Sequence, residues 1–380
     1  MKIENALVIG GGIGGPVLGM WLRGLGVEVT IAEARPSVAE AEGAFLGVAP
    51  NGMHVLSALG LGERVAEAGH PCEAFEFVNA KGKIIGRIDR RGDAARFGHP
   101  LTMIRRGRLH AILDEAARAQ GVTILHGQRL VGFSDDGTAS FEHGQRLRGD
   151  VVFGCDGLRS TTRALAFSSA PSPRPIGLLD VGGFARVDVP IPPGVNVMVF
   201  GRRAFFGAFR APDGEVWWFH NGPMPREDEP AELRARLLAL HADDPSWVGA
   251  LLEATPELLG PWPLHRVDGL PRWSEGRVCL LGDAAHAMSP SAGQGASMAM
   301  EDAMVLARSL RDAASLDEAF AAYEQERRPR VEAIARAASR NDSSKAPGPV
   351  GAWFRDRMMG LFLPRAAEEQ SKAYAHRVAW

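Results

Sequence analysis

Residues 6 to 9, Ala-Leu-Val-Ile, run directly into Gly10-Gly11-Gly12-Ile13-Gly14-Gly15, and this junction restricts the fold more than any other stretch. A short apolar run bounded by glycines reads as a strand buried in a parallel sheet. Gly10, Gly12 and Gly15 match G-x-G-x-x-G: the first glycine permits a tight turn, the second lets backbone approach a pyrophosphate, and the third lets the following helix pack on the strand. That helix is expected from about Gly14 to Leu25. A second strand, Val27 to Ala32, ends at Glu33, where a carboxylate can accept hydrogen bonds from both ribose hydroxyls of an adenosine. Strand, glycine turn, helix, strand and acid in this order predict a βαβ unit that binds a dinucleotide.

The chain has 380 residues, long for one domain and short for three, so two domains or one with a large excursion are expected. A formal charge of -2 gives no reason to expect nucleic acid or an anionic membrane as partner. Three widely spaced cysteines, Cys72, Cys155 and Cys279, read as reduced residues of a cytoplasmic protein and not as a disulfide or metal set. Lys2 before the apolar run Ala6 to Leu22 imitates a signal peptide, but that run holds six glycines and Pro16 and lacks a small-residue cleavage site. No stretch is long and apolar enough to predict a membrane-spanning helix.

Further along, two short helical pieces are expected between Ala49 and Ala68, a hairpin over 73 to 89, a helix from the Met103 to Leu109 segment to about Gln120, and a strand at 122 to 125. Two more strands, near 128 to 133 and 138 to 142, flank a turn at Asp135-Asp136-Gly137. Val151-Val152-Phe153-Gly154 is another buried strand, followed by Asp156-Gly157 as a turn and Ser160 as a helix cap. Residues 166 to 175 are rich in Ser and Pro and read as a crossing between domains. Four strand-length runs follow, Gly183 to Val189, Val195 to Phe200, Ala204 to Ala211 and Glu215 to Asn221, which predict an antiparallel sheet. Helical segments at 231 to 240 and 247 to 252 precede a return from Trp262 to Val267. The strand Val278 to Leu281 then leads into Gly282-Asp283 and the loop Pro290 to Gly295, and a helix begins at Ala296. A strand, a Gly-rich loop and a helix N-terminus in succession bring an acid and free backbone N–H groups to one place. The Arg- and Glu-rich stretch 317 to 341 reads as a helix kinked at Pro329, and Lys345 to Pro349 should break it. A last short helix carries Phe354, Met358 and Leu361 on one face and is expected to pack on the body.

Three motifs now stand in order: Gly10-x-Gly12-x-x-Gly15 with Glu33, then Asp156-Gly157, then Gly282-Asp283 running into Pro290-x-x-Gly293-Gln294-Gly295. Over essentially its whole length the chain resembles the class A, single-component flavoprotein monooxygenases, the para-hydroxybenzoate hydroxylase-like family. The resemblance implies an α/β fold: a Rossmann-like, glutathione reductase-like FAD-binding domain with a three-stranded β-meander, an inserted antiparallel β-sheet substrate domain, and C-terminal helices. Residues 1–72, 101–175 and 268–342 would form the FAD domain, 73–100 and 176–267 the substrate domain, and 343–380 the C-terminal segment.

By the same resemblance, Gly10, Gly12 and Gly15 would meet the FAD pyrophosphate, and Glu33 the adenosine ribose with Arg35 beside it. Arg106, in Arg106-Gly107-Arg108-Leu109, would meet the phosphate and ribityl region. Asp156 belongs to the element that supports FAD and transient nicotinamide binding, and Asp283 would bond the ribityl chain. Pro290, Gly293, Gln294 and Gly295 would lie against the flavin ring as the catalytic loop. The implied chemistry is reduction of FAD by NADPH or NADH, addition of O2 at C4a, and hydroxyl transfer from the hydroperoxide to an aromatic substrate. The cofactor carries the difficult step, so no metal site or side-chain nucleophile is expected. The partners implied are that small aromatic molecule and O2, for a monomer or homodimer without stable membrane association.

The substrate wall departs from phenol-binding relatives. The chain has two tyrosines, Tyr323 and Tyr374, both late in the sequence. The inserted sheet instead offers Phe184, Phe205, Phe206, Phe209, Trp217, Trp218 and Phe219, with Arg186, Arg210 and His220. Of these, Phe184, Phe205, Phe209, Trp218 and His220 are the expected substrate contacts, and His220 the expected base for a phenol. As a group the aromatics favour a hydrophobic aromatic or polycyclic substrate over a small carboxylate. A halogenase of this fold would show W-x-W-x-I-P, which Val216 to Asn221 does not supply. FAD motifs do not dictate the fate of the reduced ring, so a reductase, an oxidase and a non-catalytic FAD- or antibiotic-binding protein stay compatible with the same motifs.

Overall fold

The structure is a computed structural model that describes residues 2–38, 43–134, 137–223, 230–344 and 349–380. The first glycine motif is built as predicted. Strand Asn5–Ile9 lies at the centre of a six-stranded sheet, pairing in parallel with Glu28–Ala32 on one side and Val151–Gly154 on the other. Thr123–Leu125 and Val278–Leu280 extend it, each in parallel, and Ser274–Glu275 closes the Val278 edge antiparallel. Alternation along the central strand sets both layers. Ala6 and Val8 face the helices Gly14–Gly24 and Gly295–Asp312, whereas Leu7 and Ile9 pack against a meander of Leu130–Phe133, Ala139–Phe141 and Arg146–Leu147. The Asp135-Asp136 part of the predicted turn lies outside the described residues.

The second sheet has seven strands, not the four expected, in the order Leu259–Arg266, Arg174–Ala185, Val216–Gly222, Phe205–Arg210, Val195–Phe200, Ala74–Asn79 and Ile84–Asp89. The hairpin over 73 to 89 supplies two of them, and its first strand pairs in parallel with Val195–Phe200. Strand Arg174–Ala185 also starts earlier than the expected Gly183, so the Ser- and Pro-rich crossing ends at Pro173. Helices Pro230–Leu240 and Ser246–Ala254 cover one face of this sheet through Leu233, Leu237, Val248, Leu251 and Leu252. The other face turns toward the dinucleotide domain. Between them a small sheet of Phe45–Val48, Thr102–Arg105 and His70–Pro71, not anticipated, ties the two units together.

Pro329 lies inside one continuous helix, Leu316–Ser344, because packing of its buried face holds the turn that proline leaves one hydrogen bond short. The final helix is long, Pro349–Tyr374, and not short as expected. It docks on the hairpin through Asn79 Nδ2, which donates to Asp356 Oδ2 at 2.9 Å, and through Leu363 and Met359 over Gly86. Leu361 is therefore on the outside, 67% exposed. Residues 345–348 and the Phe354 side chain lie outside the described set.

Candidate cofactor and substrate site

Gly10 turns the chain at φ +104° directly after the central strand, and its N–H donates to Ala32 O at 2.8 Å. The turn is closed on its protein side: a Cβ at Gly15 would lie 2.1 Å from Gly10 O. Around Gly12, by contrast, such an atom would meet nothing within 4 Å. The backbone is thus bare on the outer side only. No side chain caps the helix that begins at Gly14, so its first N–H groups face outward as donors for an anion.

Glu33 is 6% exposed and holds this loop from behind. Its Oε2 accepts the Gly11 N–H at 2.6 Å, and its Oε1 accepts the Arg35 N–H and Nε at 2.8 and 3.0 Å. Burial alone would raise its carboxyl pKa, but the Arg35 bonds and charge and the Gly11 N–H outweigh burial and hold it below the usual value. His110, which no sequence motif marks, fixes the same loop from the opposite side: its Nε2 lies 2.5 Å from Gly11 O. It stands one residue beyond the Arg106 to Leu109 element, and only that adjacency could have flagged it.

Asp156 serves the site indirectly. Its Oδ1 accepts Ser160 Oγ at 2.5 Å, and its Oδ2 accepts the Thr162 N–H and hydroxyl at 2.9 and 3.0 Å, so both oxygens cap helix Thr161–Ala166. Ser160 caps that helix as predicted, accepting the Arg163 N–H at 2.9 Å. Buried Arg163 then donates to Leu158 O and Ala284 O, both at 2.7 Å, and couples the Asp156 turn to the Asp283 turn.

Asp283 opens helix Asp283–His286 after Gly282 at φ +59°. Asp283 is exposed to solvent yet closely surrounded by protein. That crowding raises its carboxyl pKa against the opposing charges of His286 and Arg106. Arg106 begins helix Arg106–Ala119 with its own side chain exposed to the same cleft. Pro290–Ala292 forms a single 3-10 turn ended by Gly293 at φ +61°, and helix Gly295–Asp312 starts without a side-chain cap. Uncapped helix starts at Gly14 and Gly295 therefore flank Gly12, Arg106, Asp283, Pro290 and Gly293, all reachable by solvent.

A buried charge cluster that the sequence did not reveal supports this loop. Asp302 Oδ2 accepts the Gly282 N–H at 3.0 Å and lies 2.6 Å from His286 Nε2. Arg327 donates to Asp302 at 2.7 Å and to Glu301 at 2.5 Å, and Arg330 donates to both Glu301 oxygens. Asn51 Nδ2 bridges Glu301 at 2.7 Å and Gln294 Oε1 at 3.1 Å. Burial works against ionisation of Asp302, yet His286 and Arg327 hold its carboxyl at about 2.

Strand register sorts the wall residues by face. Phe205, Phe209, Trp217, Phe219 and Phe184 share the face toward the dinucleotide domain, where Phe45 meets Trp217 at 5.6 Å and Phe219 at 6.1 Å. Phe184 and Phe219 are partly open to the cleft, Phe205 is nearly covered, and Phe209 is sealed within the packing. Trp218 and His220 do not line the cleft, correcting the expectation for both: they face the covering helices. Trp218 stacks on Phe206 and donates to Thr255 Oγ1 at 2.8 Å. His220 Nδ1 lies 2.8 Å from His241 Nε2, and His241 Nδ1 lies 2.7 Å from Asp244. Arg186 is paired with Asp213 in a turn, and Arg210 bonds the Val189 and Ile191 carbonyls, so neither reaches the cleft.

Burial, with the neighbouring His241 charge, pushes His220 down to about 3 from 6.5. A histidine whose pKa is depressed by folding adds stability that is fully present above the unfolded value and is lost as pH falls toward 3. His220→Gln is therefore expected to flatten the acid destabilisation below pH ~6.5 by up to one proton, about 1.4 kcal/mol per pH unit, and to leave the pH profile of turnover unchanged. Urea unfolding at several pH values and steady-state rates check both; an altered catalytic profile would restore His220 as a base.

The profile of the family described as FAD binding domain matches residues 4–338. Aurachin C monooxygenase/isomerase of Stigmatella aurantiaca is 32% identical over 358 residues, covering 92% of this chain and 90% of its own. FAD-dependent urate hydroxylase of Mycolicibacterium vanbaalenii is 29% identical over 361 residues, covering 91% and 90%. In fold, Klebsiella pneumoniae HpxO complexed with FAD and uric acid superposes with a TM-score of 0.86 at 24% identity, over 98% of this chain and 96% of that one. A family match over most of the sequence thus meets a glycine turn left bare on its outer side, and the chain belongs to the FAD binding domain family as an FAD-dependent monooxygenase.

Proposed function

We propose that this enzyme hydroxylates a hydrophobic aromatic or polycyclic small molecule, with electrons from NADPH or NADH and one oxygen atom from O2. The observation that carries the reading is the band of rings on the cofactor-facing side of the second sheet. It runs from Phe184 and Trp217 at 5.9 Å, through Phe45, to Phe219 and Phe205 at 6.0 Å, and on to Phe200 at 5.3 Å. Such a surface gains by excluding water from a flat apolar molecule, roughly 25 cal/mol per Å² covered.

The residues present fit FAD. The bare backbone at Gly12, between the tight turns of Gly10 and Gly15, suits a pyrophosphate. Glu33 and Arg35 would hold the adenosine end, and Arg106 and Asp283 the ribityl chain. Pro290, Gly293, Gln294 and Gly295 would form the floor under the ring, where the uncapped helix start favours negative charge by about 0.3 to 2 kcal/mol. Bound FAD supplies electron storage and oxygen activation; the protein orients the substrate and keeps the cleft dry. The wall sheet draws its strands from 74–89 and 174–266, which supports the assignment of 73–100 and 176–267 to substrate binding, and of 1–72, 101–175 and 268–342 to the cofactor, with the boundary near 174. Three free cysteines suit the cytoplasm, and among the described residues no helix is long and apolar enough to cross a membrane.

NAD(P)H consumption by the holoenzyme under air tests the proposal, with 1-naphthol and 4-hydroxyquinoline as apolar rings and salicylate as a small aromatic acid. The expected result is stimulation by the apolar rings and a product carrying one atom from labelled O2. Far stronger stimulation by salicylate would overturn the substrate class.

A further inference from the structure

The last helix packs on the body and still presents an apolar surface on its outer side. Leu363 and Met359 lie over Gly86 of the hairpin, and Asp356 meets Asn79, so these positions mark the inner side. Leu361 stands two residues from both Met359 and Leu363, which at about 100° per residue turns it directly away from the hairpin. It is 67% exposed, and its neighbour Phe362 is 55% exposed. Ile84, 54% exposed, opens strand Ile84–Asp89 two residues before Gly86, within about 7 Å of it, beside the same turn of helix. These are the three most exposed large apolar side chains among the described residues, and they gather at one place.

The rim of this patch is basic. Arg357 and Arg365 stand one turn before and one turn after Leu361, both exposed, and exposed Lys81 and Lys83 occupy the hairpin turn beside Ile84. The acids nearby are engaged: Glu76 by Arg87, Asp89 by Arg91, Glu368 by Lys372 and Glu369 by Arg340, while Asp356 on the inner side accepts from Asn79. On a chain with a formal charge of -2 this is a local asymmetry. A second copy of the chain docking through the same patch would set these cations against one another, whereas the phosphates of an anionic bilayer complement them.

We infer that the outer side of helix Pro349–Tyr374, with the hairpin turn, is a docking surface for an anionic lipid bilayer. Leu361, Phe362 and Ile84 enter the boundary between headgroups and acyl chains, and Lys81, Lys83 and Arg365 meet lipid phosphates. The contact is peripheral and reversible, because three side chains bury little area and no helix among the described residues is long and apolar enough to span a membrane. The hairpin is part of the wall sheet, so docking holds the substrate-side unit against the phase into which an apolar aromatic molecule partitions.

Co-sedimentation of the holoenzyme with vesicles at low salt tests this surface, using phosphatidylcholine alone and an equal mixture of phosphatidylcholine and phosphatidylglycerol. The mixed vesicles are expected to bind at least ~10-fold more tightly, and added salt to weaken that binding. Phe362→Asp, and separately the double variant Lys81→Glu with Arg365→Glu, should each lower affinity for the mixed vesicles about tenfold or more. FAD content and melting temperature should match the wild type in both, since these side chains are exposed. Val131→Asp, at a residue 50% exposed on the meander, should bind as the wild type does. A wild type that does not bind the mixed vesicles, or binding that Phe362→Asp and the double variant both retain, would overturn the docking surface. A wild type that ignores vesicles but forms a dimer that Phe362→Asp dissociates would overturn it too and assign the patch to a second copy of the chain.

Discussion

Gly15→Ala is expected to purify colourless, with FAD content reduced more than tenfold. The added Cβ would sit 2.1 Å from Gly10 O, 3.2 Å from Gly10 C and 3.4 Å from a Val8 methyl. The first distance is well inside van der Waals contact, so the helix or the turn must move by about an ångström. The helix has no slack: Val17, Leu18, Met20, Trp21 and Leu22 are all buried against the sheet and neighbouring helices. The turn therefore yields, and its N–H donors leave the arrangement that Glu33 and His110 hold from either side. Overpacking of this kind costs about 1 to 3 kcal/mol of stability before any cofactor effect. Gly12→Ala separates the two consequences. Its methyl meets no protein atom within 4 Å, so its thermal unfolding should match the wild-type apoprotein while FAD affinity falls, because the methyl occupies the approach of the ligand. Flavin-to-protein absorbance ratios and apoprotein melting curves check the pair. A fully yellow Gly15→Ala protein with an unchanged melting temperature would refute the packing argument.

The contrast between these glycines and His220 shows what a single sequence discloses. The glycine turn, Glu33 and the Asp283 loop are local: each motif lies within a few residues of the strand that positions it, so spacing alone places it. His220 and Trp218 were misplaced because Val216–Gly222 is apolar on both faces, one covered by helices and one by the cofactor domain. A strand buried on both sides loses the alternation that would reveal which residues point where. Phe45 was missed for a related reason, since its place beside Trp217 and Phe219 depends on pairings between segments far apart in the chain. The last helix is longer than expected because it runs on through Gly360 and Pro364, sustained by docking on the hairpin. The Glu301, Asp302 and Arg327 cluster was the least legible part. Composition marks the Arg- and Glu-rich stretch only as a helix, and nothing local says that one arginine in it turns inward.

That arginine carries the second large effect. Arg327 is 1% exposed and bridges two acids that are also fully buried, Asp302 and Glu301. Removing one member of a buried ion cluster leaves its partners desolvated and uncompensated, which costs about 3 to 5 kcal/mol. Arg327→Met, close in length and unable to carry charge, is therefore expected to lose about that much in urea unfolding at pH 7. Arg330 still covers Glu301, so the exposed weakness is Asp302, left with His286 and the Gly282 N–H. The pH dependence identifies the cause. In the wild type the Asp302 pKa is depressed to about 2 from 3.8, a contribution that is complete above 3.8 and fades only as pH falls toward 2, so Asp302 leaves stability flat between pH 7 and 5. Without Arg327 the balance tips toward burial and the pKa rises. A raised carboxyl pKa penalises the folded state above that pKa, and the penalty is relieved as pH drops. Arg327→Met should thus regain stability relative to wild type on going from pH 7 to 5, while Arg327→Lys, which keeps the charge, should show a smaller loss and little such recovery. Because Asp302 also holds the Gly282 N–H at the head of the Asp283 loop, FAD affinity should fall in the same order, least in the lysine variant. Equal losses for Met and Lys with no pH-dependent recovery would assign Arg327 to packing alone.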